Sequence, residues 1–175
     1  MVFHKCHCMF VPPQVLENLA KAGKAGARLS IQQSKLSREQ RSAKVVPPMT
    51  VFAGIAPPGQ EPREVAGIAP PGQGPRKVYD CQHKWAKQVA LVRGEGAPTT
   101  GDPAVNDAYD SAGTVRDYFK NVLNRNSIDN AGMDLILNVH YGMNYLNAFW
   151  DGDEMTFGDG DGTTFVNFTK SLDVV

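Results

Sequence analysis

The feature that most constrains the fold of this chain is a tandem repeat rich in proline and glycine. The residues AGIAPPGQEPREV at 53–65 are followed at once by AGIAPPGQGPRKV at 66–78. Two copies are fewer than a stacked repeat architecture needs, and each Pro-Pro-Gly favours extended or turning chain. The sequence therefore predicts a connector over 45–78, between a short segment at 1–44 and a globular segment at 79–175. A proline-rich ligand for an aromatic groove is the alternative for the connector.

The bulk composition argues against several classes of protein. Lysine plus arginine and aspartate plus glutamate both number 18, so the formal net charge is zero and no nucleic-acid or anionic-membrane partner is indicated. The longest apolar runs are too short to cross a bilayer. The first residues lack the basic and apolar regions of a signal peptide, and the cellular location is left unknown. The spacing of Cys6, Cys8 and Cys81 does not predict a disulfide framework.

The segment 1–44 predicts two helices that cannot form a core alone. Pro12 and Pro13 mark the start of the first, and Ser30 with Gln33 resembles a capping box at the start of the second. We expect the segment to pack against another part of the molecule. The apolar side chains of the two helices are Val15, Leu16, Leu19, Ala20, Ile31 and Leu36.

The segment 79–175 predicts an α+β domain, mainly antiparallel, with one long helix. Asp102 is a helix cap followed by Pro103, and apolar residues continue at helical spacing to about Asn124. Strands are predicted at 89–92, 135–141, 148–150 and 155–157, with a tight turn at 158–162.

Two groups of polar residues invite a chemical interpretation but have structural alternatives. Asp159 and Asp161 are spaced as in a calcium loop, but Thr164 and Lys170 replace the glycine and glutamate that an EF-hand requires. A tight turn explains this segment as well. His140 is predicted in mid-strand without an acidic or nucleophilic partner nearby, which favours a structural role.

The run Asn147-Ala148-Phe149-Trp150 is the strongest candidate for binding. A strand at a sheet edge can hold an extended peptide through its free backbone groups, while aromatic side chains form pockets. An ordinary hydrophobic strand with a buried tryptophan is the alternative.

Many short blocks of the chain, in order, closely resemble the thermolysin-like zinc metallopeptidases. The resemblance implies an α+β catalytic domain that hydrolyses peptide bonds with a zinc-activated water and a glutamate base. The His-Glu-x-x-His zinc motif does not occur in this sequence, so we expect the chain to be inactive by itself. The matching blocks are Val78–Asp80, Leu91–Gly96, Asn106–Tyr109, Tyr118–Phe119, Arg125–Asp129, Val139–Gly142, Asn147–Trp150, Gly158–Gly162 and Asp173–Val175.

The resemblance implies binding roles for particular residues. Asn147 and Ala148 would make polar contacts with the substrate backbone, and Phe149 and Trp150 would form pocket walls. In the family the His-Glu-x-x-His motif lies on a helix. Asp173 would be one ligand of a structural calcium site whose other ligands lie beyond that helix. The residues implied to line the pocket for the residue after the scissile bond are Phe165 and Val174.

The run from Cys8 to Pro13, with Leu16, resembles the short propeptide of protealysin-type members of the same family. Such a propeptide docks on the cleft, and a thiolate of Cys6 or Cys8 offered to the catalytic zinc would fill its open position. The propeptide would be cut within 45–78, at a bond that the sequence does not identify. A separate soft-metal site formed by the crowded residues His4, Cys6, His7 and Cys8 is a further alternative.

A different class of function also fits the sequence. The chain could be a stand-alone, propeptide-like inhibitor or binding module that acts on a full-length relative. As part of an enzyme, the chain would have a peptide or protein substrate and a C-terminal half as partners. As a binding module, its partner would be that relative. Solubility distinguishes the two interpretations. We expect a half-enzyme to expose a large apolar patch and therefore to aggregate, whereas a binding module stays monomeric or binds one partner. The aromatic residues expected to face the missing half are Phe149, Trp150, Phe157 and Phe165.

Overall fold

A computed structural model describes residues 9–43, 74–171 and 174. Asp173 and the thiols of Cys6 and Cys8 lie outside these residues. The elements in chain order are α1 (Pro13–Lys21), α2 (Ala27–Ala43), β1 (Arg76–Asp80), β2 (Ala90–Arg93), α3 (Pro103–Asn121), β3 (Leu135–Val139), β4 (Ala148–Trp150), β5 (Glu154–Phe157) and a 3-10 turn (Phe168–Lys170).

The strands form one five-stranded sheet in the order β2-β1-β3-β5-β4. The outer pairs β1–β2 and β4–β5 are antiparallel, whereas β1–β3 and β3–β5 are parallel. Parallel neighbours need a long crossover, and β2 with α3 supplies the one between β1 and β3. The predicted α+β class is confirmed, with a mixed sheet in place of mainly antiparallel pairing. β4 lies at the edge of the sheet.

Helix α3 begins where its capping residues predict. Oδ1 of Asp102 accepts a hydrogen bond from Ala104 N at 2.9 Å, and Pro103 occupies the first turn. The helix buries Val105, Ala108 and Ala112 against the sheet. The main hydrophobic core of the domain therefore lies between α3 and the sheet.

Strand β1 corrects the predicted extent of the connector. It begins at Arg76, inside the second repeat copy, so the residues from Arg76 to Val78 belong to the sheet. Val78 is fully buried in the core, because β1 is an inner strand between β2 and β3. The remaining domain boundaries stay predictions. Across residues 9–43 and 74–171, the structure has no helix that is long and apolar enough to cross a membrane.

The N-terminal helices pack on the domain, as the sequence predicts for a segment without its own core. Leu16 of α1 and Ala27 of α2 are buried in the same cluster as Leu146 and Phe157. The predicted start of α2 at Ser30 is wrong, since the helix begins three residues earlier.

The reason for the different start of α2 is a long-range contact. The Ser30 hydroxyl does not cap the helix; it is buried and accepts a hydrogen bond from Leu146 N at 2.8 Å. Gly26 precedes the helix with φ +78°, and a Cβ there would lie 2.1 Å from the carbonyl oxygen of Asn144. Only glycine permits this close approach of the turn to the domain.

Candidate functional site

Asn147 holds the N-terminal segment at the start of the edge strand β4. Its Oδ1 accepts from Val11 N at 2.7 Å, and its Nδ2 donates to Val11 O at 3.1 Å. The same side chain also accepts from Ala148 N at 2.9 Å and donates to the Ser34 hydroxyl at 3.2 Å. The buried amide therefore pairs with both backbone groups of one residue, as a neighbouring strand would.

The segment continues along β4 as a short antiparallel strand. Phe10 N donates to Ala148 O at 3.0 Å, and Met9 forms an antiparallel bridge with Phe149. The predicted peptide-holding edge is thus occupied by this chain's own residues 9–11. The contacts are those of strand addition, in which main-chain hydrogen bonds hold an extended segment at an edge.

Phe149 points into a cluster of aromatic side chains and is 3% exposed. It packs edge-on against Tyr141 and Tyr145, with ring centroids 5.9 and 6.3 Å away. Phe157 is also fully buried. The expectation that these phenylalanines belong to an exposed patch is therefore wrong, because the sheet and the N-terminal segment cover them. Cys81 lies in the same cluster as Phe149, where burial raises the pKa of its thiol to about 12.

Trp150 lies beside an apolar groove between α3 and the sheet. The groove has a volume of about 360 Å³. Val174 also lines it, so the structure places Trp150 and Val174 on one surface. Nη1 of Arg41 on α2 donates to Trp150 O at 3.1 Å, which ties the end of α2 to the end of β4. The principal apolar side chains of this groove are Val115, Phe119, Ile128, Ile136, Trp150, Met155 and Val174.

Phe165 is half-buried and packs on Phe168, with ring centroids 5.4 Å apart. Phe10 of the N-terminal segment contacts the same Phe168 ring edge-on at 5.8 Å. The side chains of Phe10 and Phe165 therefore contact the same ring. This is the position in which the resemblance places a substrate side chain.

A stripe of serines on α2 covers the loop that leads into β4. Ser30, Ser34 and Ser37 are all buried, and the Ser34 hydroxyl lies 3.2 Å from the Tyr145 hydroxyl. Hydroxyl groups can satisfy buried backbone and side-chain partners that apolar residues would leave unpaired. Sequence reasoning missed this interface because it searched for an apolar stripe. Leu36, predicted as an anchor, is 41% exposed.

His140 has acidic partners that the sequence did not predict. It follows β3 with a φ of +54°, so its placement in mid-strand is wrong. Its Nδ1 lies 2.9 Å from Asp159 and its Nε2 lies 2.8 Å from Asp102. The hydrogen bond to Asp159 raises the pKa of His140, burial opposes this effect, and the hydrogen bond to Asp102 adds to it. Because carboxylates accept hydrogen bonds from both ring nitrogens, the pKa of His140 rises to about 9.

The turn at 158–162 has the predicted compact geometry. Oδ1 of Asp161 accepts from the backbone N–H groups of Thr163, Thr164 and Phe165 at 2.6–3.1 Å. These bonds hold the pKa of Asp161 well below its ordinary range, against the effect of burial. Gly160 and Gly162 have positive φ values, as a tight turn requires. The carboxylate of Asp161 is thus used by the turn itself.

Comparison with known proteins identifies the family. The sequence profile of the thermolysin metallopeptidase catalytic domain matches residues 71–175, more than half of the chain. The chain belongs to the thermolysin metallopeptidase family. The match includes β4, its edge and the groove beside it.

Relatives extend the similarity to the N-terminal segment. An extracellular metalloprotease of Pectobacterium carotovorum is 37% identical over 168 residues, covering 96% of this chain and 44% of the relative. Protease PrtS of Photorhabdus is 48% identical over 98 residues, covering 56% of this chain and 26% of the relative. The precursor of protealysin, a metalloproteinase from Serratia proteamaculans, has a similar structure (TM-score 0.68, 31% identity), covering 95% of this chain and 43% of that one.

This chain spans less than half the length of the two relatives to which it is similar over nearly all of its own residues. Its sequence contains no His-Glu-x-x-His motif. In the described residues, the one group of side chains suited to a metal is His83, His140 and Asp159, which does not lie on a helix. The residues present therefore do not fit the catalytic metal of the family.

Proposed function

We propose that this chain is the propeptide and the N-terminal part of the catalytic domain of a protealysin-like zinc endopeptidase. The observation that carries the proposal is the N-terminal segment on β4, where residues 9–11 pair with Asn147 and Ala148. A propeptide that fills this edge prevents a substrate from binding there. The similarity to the protealysin precursor across 95% of the chain supports the same conclusion.

In the complete enzyme, each site residue has a role in binding. Asn147 presents one acceptor and one donor to a single residue of an extended peptide, which fixes the register of the substrate backbone. Ala148 supplies a backbone carbonyl to the next amide. Phe165 and Val174 line the pocket for the residue after the scissile bond, and Phe149 and Trp150 form walls on the two faces of β4. None of these groups transfers a proton.

In the complete enzyme, zinc would supply the activated water. Its ligands and the glutamate base are outside this sequence, so these 175 residues are inactive by themselves. Calcium binding by Asp173 likewise depends on ligands from elsewhere. The part of the apolar groove that is lined by Val115, Phe119 and Ile128 is the surface on which the C-terminal half packs, since it is open and lined mainly by carbon atoms.

The test is to read the transcript beyond the Val175 codon and to assay its full product. We expect a His-Glu-x-x-His sequence and peptide cleavage that a chelator abolishes. In the mature enzyme, Asn147→Ala lowers kcat/KM about tenfold or more, because two hydrogen bonds to the substrate backbone are lost. Asn121→Ala, at an exposed position on α3, is the control and leaves kcat/KM unchanged. A stop codon directly after Val175 would overturn the proposal.

The second candidate is an inhibitor or binding module that acts on a full-length relative. The burial of Phe149 and Phe157 within the described residues favours it, since these rings need no further half to cover them. Size-exclusion chromatography of the 175-residue chain distinguishes the candidates. A monomer that inhibits a protealysin-type relative supports the module, whereas aggregation through the groove supports the half-enzyme.

A further inference from the structure

Three side chains from separate parts of the sequence converge beside the start of α3. His83 follows β1, His140 follows β3, and Asp159 lies in the turn after β5. Their ligand atoms all lie within 4.8 Å of one another. Nδ1 of His83 is 3.3 Å from Oδ2 of Asp159, and Nδ1 of His140 is 2.9 Å from the same carboxylate.

These distances suit a shared ion. Ligands about 2.1 Å from a tetrahedral metal lie about 3.4 Å from one another, so small movements would bring all three atoms into one coordination sphere. The side chain of His83 is 55% exposed. The cluster therefore opens to solvent on the side of His83.

We propose that His83, His140 and Asp159 form a binding site for a divalent transition metal, with zinc as the best fit. Two imidazole nitrogens and one carboxylate oxygen are ligands that select zinc over calcium or magnesium, which prefer oxygen alone. Three protein ligands leave a fourth position for water. The site is distinct from the catalytic zinc of the family, since its ligands lie in loops at the end of the sheet.

Asp102 acts as the partner that orients His140. Its Oδ2 accepts from Nε2 of His140 at 2.8 Å, so that Nδ1 faces Asp159 and His83. Metal-bound histidines commonly donate their second N–H to a carboxylate in this way. The proton on Nδ1 leaves when the metal binds.

The backbone around the cluster holds the two histidines in place. His83 N donates to His140 O at 2.9 Å, and the two rings lie 5.4 Å apart. Nδ2 of Asn167 donates to Oδ1 of Asp159 at 2.8 Å, which leaves Oδ2 directed at both histidines. A bound ion would join the loop after β1, the end of β3 and the turn after β5.

The test is a calorimetric titration of the full 175-residue chain with zinc chloride, comparing the wild type with His83→Asn. Asparagine tolerates the positive φ of 56° at this position, so the fold is retained while one ligand is lost. We expect the wild type to bind one zinc ion more than the variant. Since both chains keep His4, Cys6, His7 and Cys8, binding at the N-terminus cancels in the difference. The ring NMR signals of His83 and His140 should shift together with that ion.

A second variant tests the role of Asp102. Asn is as good a helix cap as Asp, so Asp102→Asn keeps α3 and removes only the carboxylate from His140. We expect zinc affinity at this site to fall about 10–100-fold. Equal zinc stoichiometry and affinity in the wild type and His83→Asn would overturn the site. Unchanged affinity in Asp102→Asn would overturn the orienting role of that carboxylate.

Discussion

Glu95 joins two arginines between β1 and α3. It accepts from Nη2 of Arg76 at 2.6 Å and from Nη1 of Arg116 at 3.0 Å, and also from Arg76 N at 2.8 Å. These bonds hold the pKa of the Glu95 carboxyl well below its ordinary 4.5, and the side-chain bond from Arg76 has the largest effect. Burial of the carboxyl opposes this lowering of its pKa. Because the pKa of Glu95 is lower in the folded state than its ordinary 4.5, ionised Glu95 stabilises the fold at pH values above 4.5. This stability is lost as the pH falls below 4.5 towards the pKa of the folded state.

Glu95→Gln therefore lowers the free energy of unfolding at pH 7 by about 1 kcal/mol, since the side chain is partly exposed and its ion pairs are screened. Below pH 4.5 the wild type loses stability with falling pH more steeply than the variant. Urea unfolding at pH 7, 5 and 3 measures both effects. Asp134→Asn, which removes the exposed ion pair with Lys77, serves as the control. Parallel pH profiles for the wild type and Glu95→Gln would contradict the prediction.

At the level of single residues, the sequence was informative where the signal is local. The sequence predicts Asp102 as a helix cap because its partner, Ala104 N, is two residues away. The acidic partners of His140 lie 38 and 19 residues away in sequence. No spacing rule links such positions, so only the fold could bring them together. The binding roles of Asn147 and its neighbours stay a prediction.

At the level of elements, α2 depends on its buried serines. Ser30→Ala would leave the buried Leu146 N–H without its acceptor. We expect the free energy of unfolding to fall by about 1–3 kcal/mol, which is the cost of an unsatisfied buried donor. Urea denaturation measures it. Gln32→Ala, on the exposed side of the same helix, is the control and should change stability little, because alanine favours a helix at least as much as glutamine. A loss equal to that of Ser30→Ala would contradict the role of the buried hydroxyl.

The same serines explain why the sequence predicts α3 more accurately than α2. The sequence predicted α3 well, because Asp102 and Pro103 mark its start and apolar residues recur along one face. It predicts α2 only from Ser30 onward, because Ser30 with Gln33 resembles a capping box, whereas the Ser30 hydroxyl accepts a hydrogen bond from Leu146 N instead. A polar stripe and a solvated face look alike in a sequence. Their difference lies in the partner surface, here the loop before β4.

At the level of the whole molecule, the N-terminal helices and the catalytic-domain part share one core. Leu16 is 1% exposed and belongs to the same cluster as Val78 and Leu137. The propeptide-like segment is thus held by burial as well as by its hydrogen bonds to β4. It follows that cutting the connector does not by itself free the edge of the sheet.

This last point is tested by placing a specific protease site after Gln60, between the two described parts of the chain. We expect the two fragments to remain together on size-exclusion chromatography after cleavage, because the shared core persists. Leu16→Ala costs about 2–5 kcal/mol at a buried site, and should release the N-terminal fragment. Val15→Ala, at a neighbouring residue that is 41% exposed, should not. If the wild-type fragments separate on cleavage, residues 9–43 are held mainly by the connector, and cutting it would be enough to expose β4.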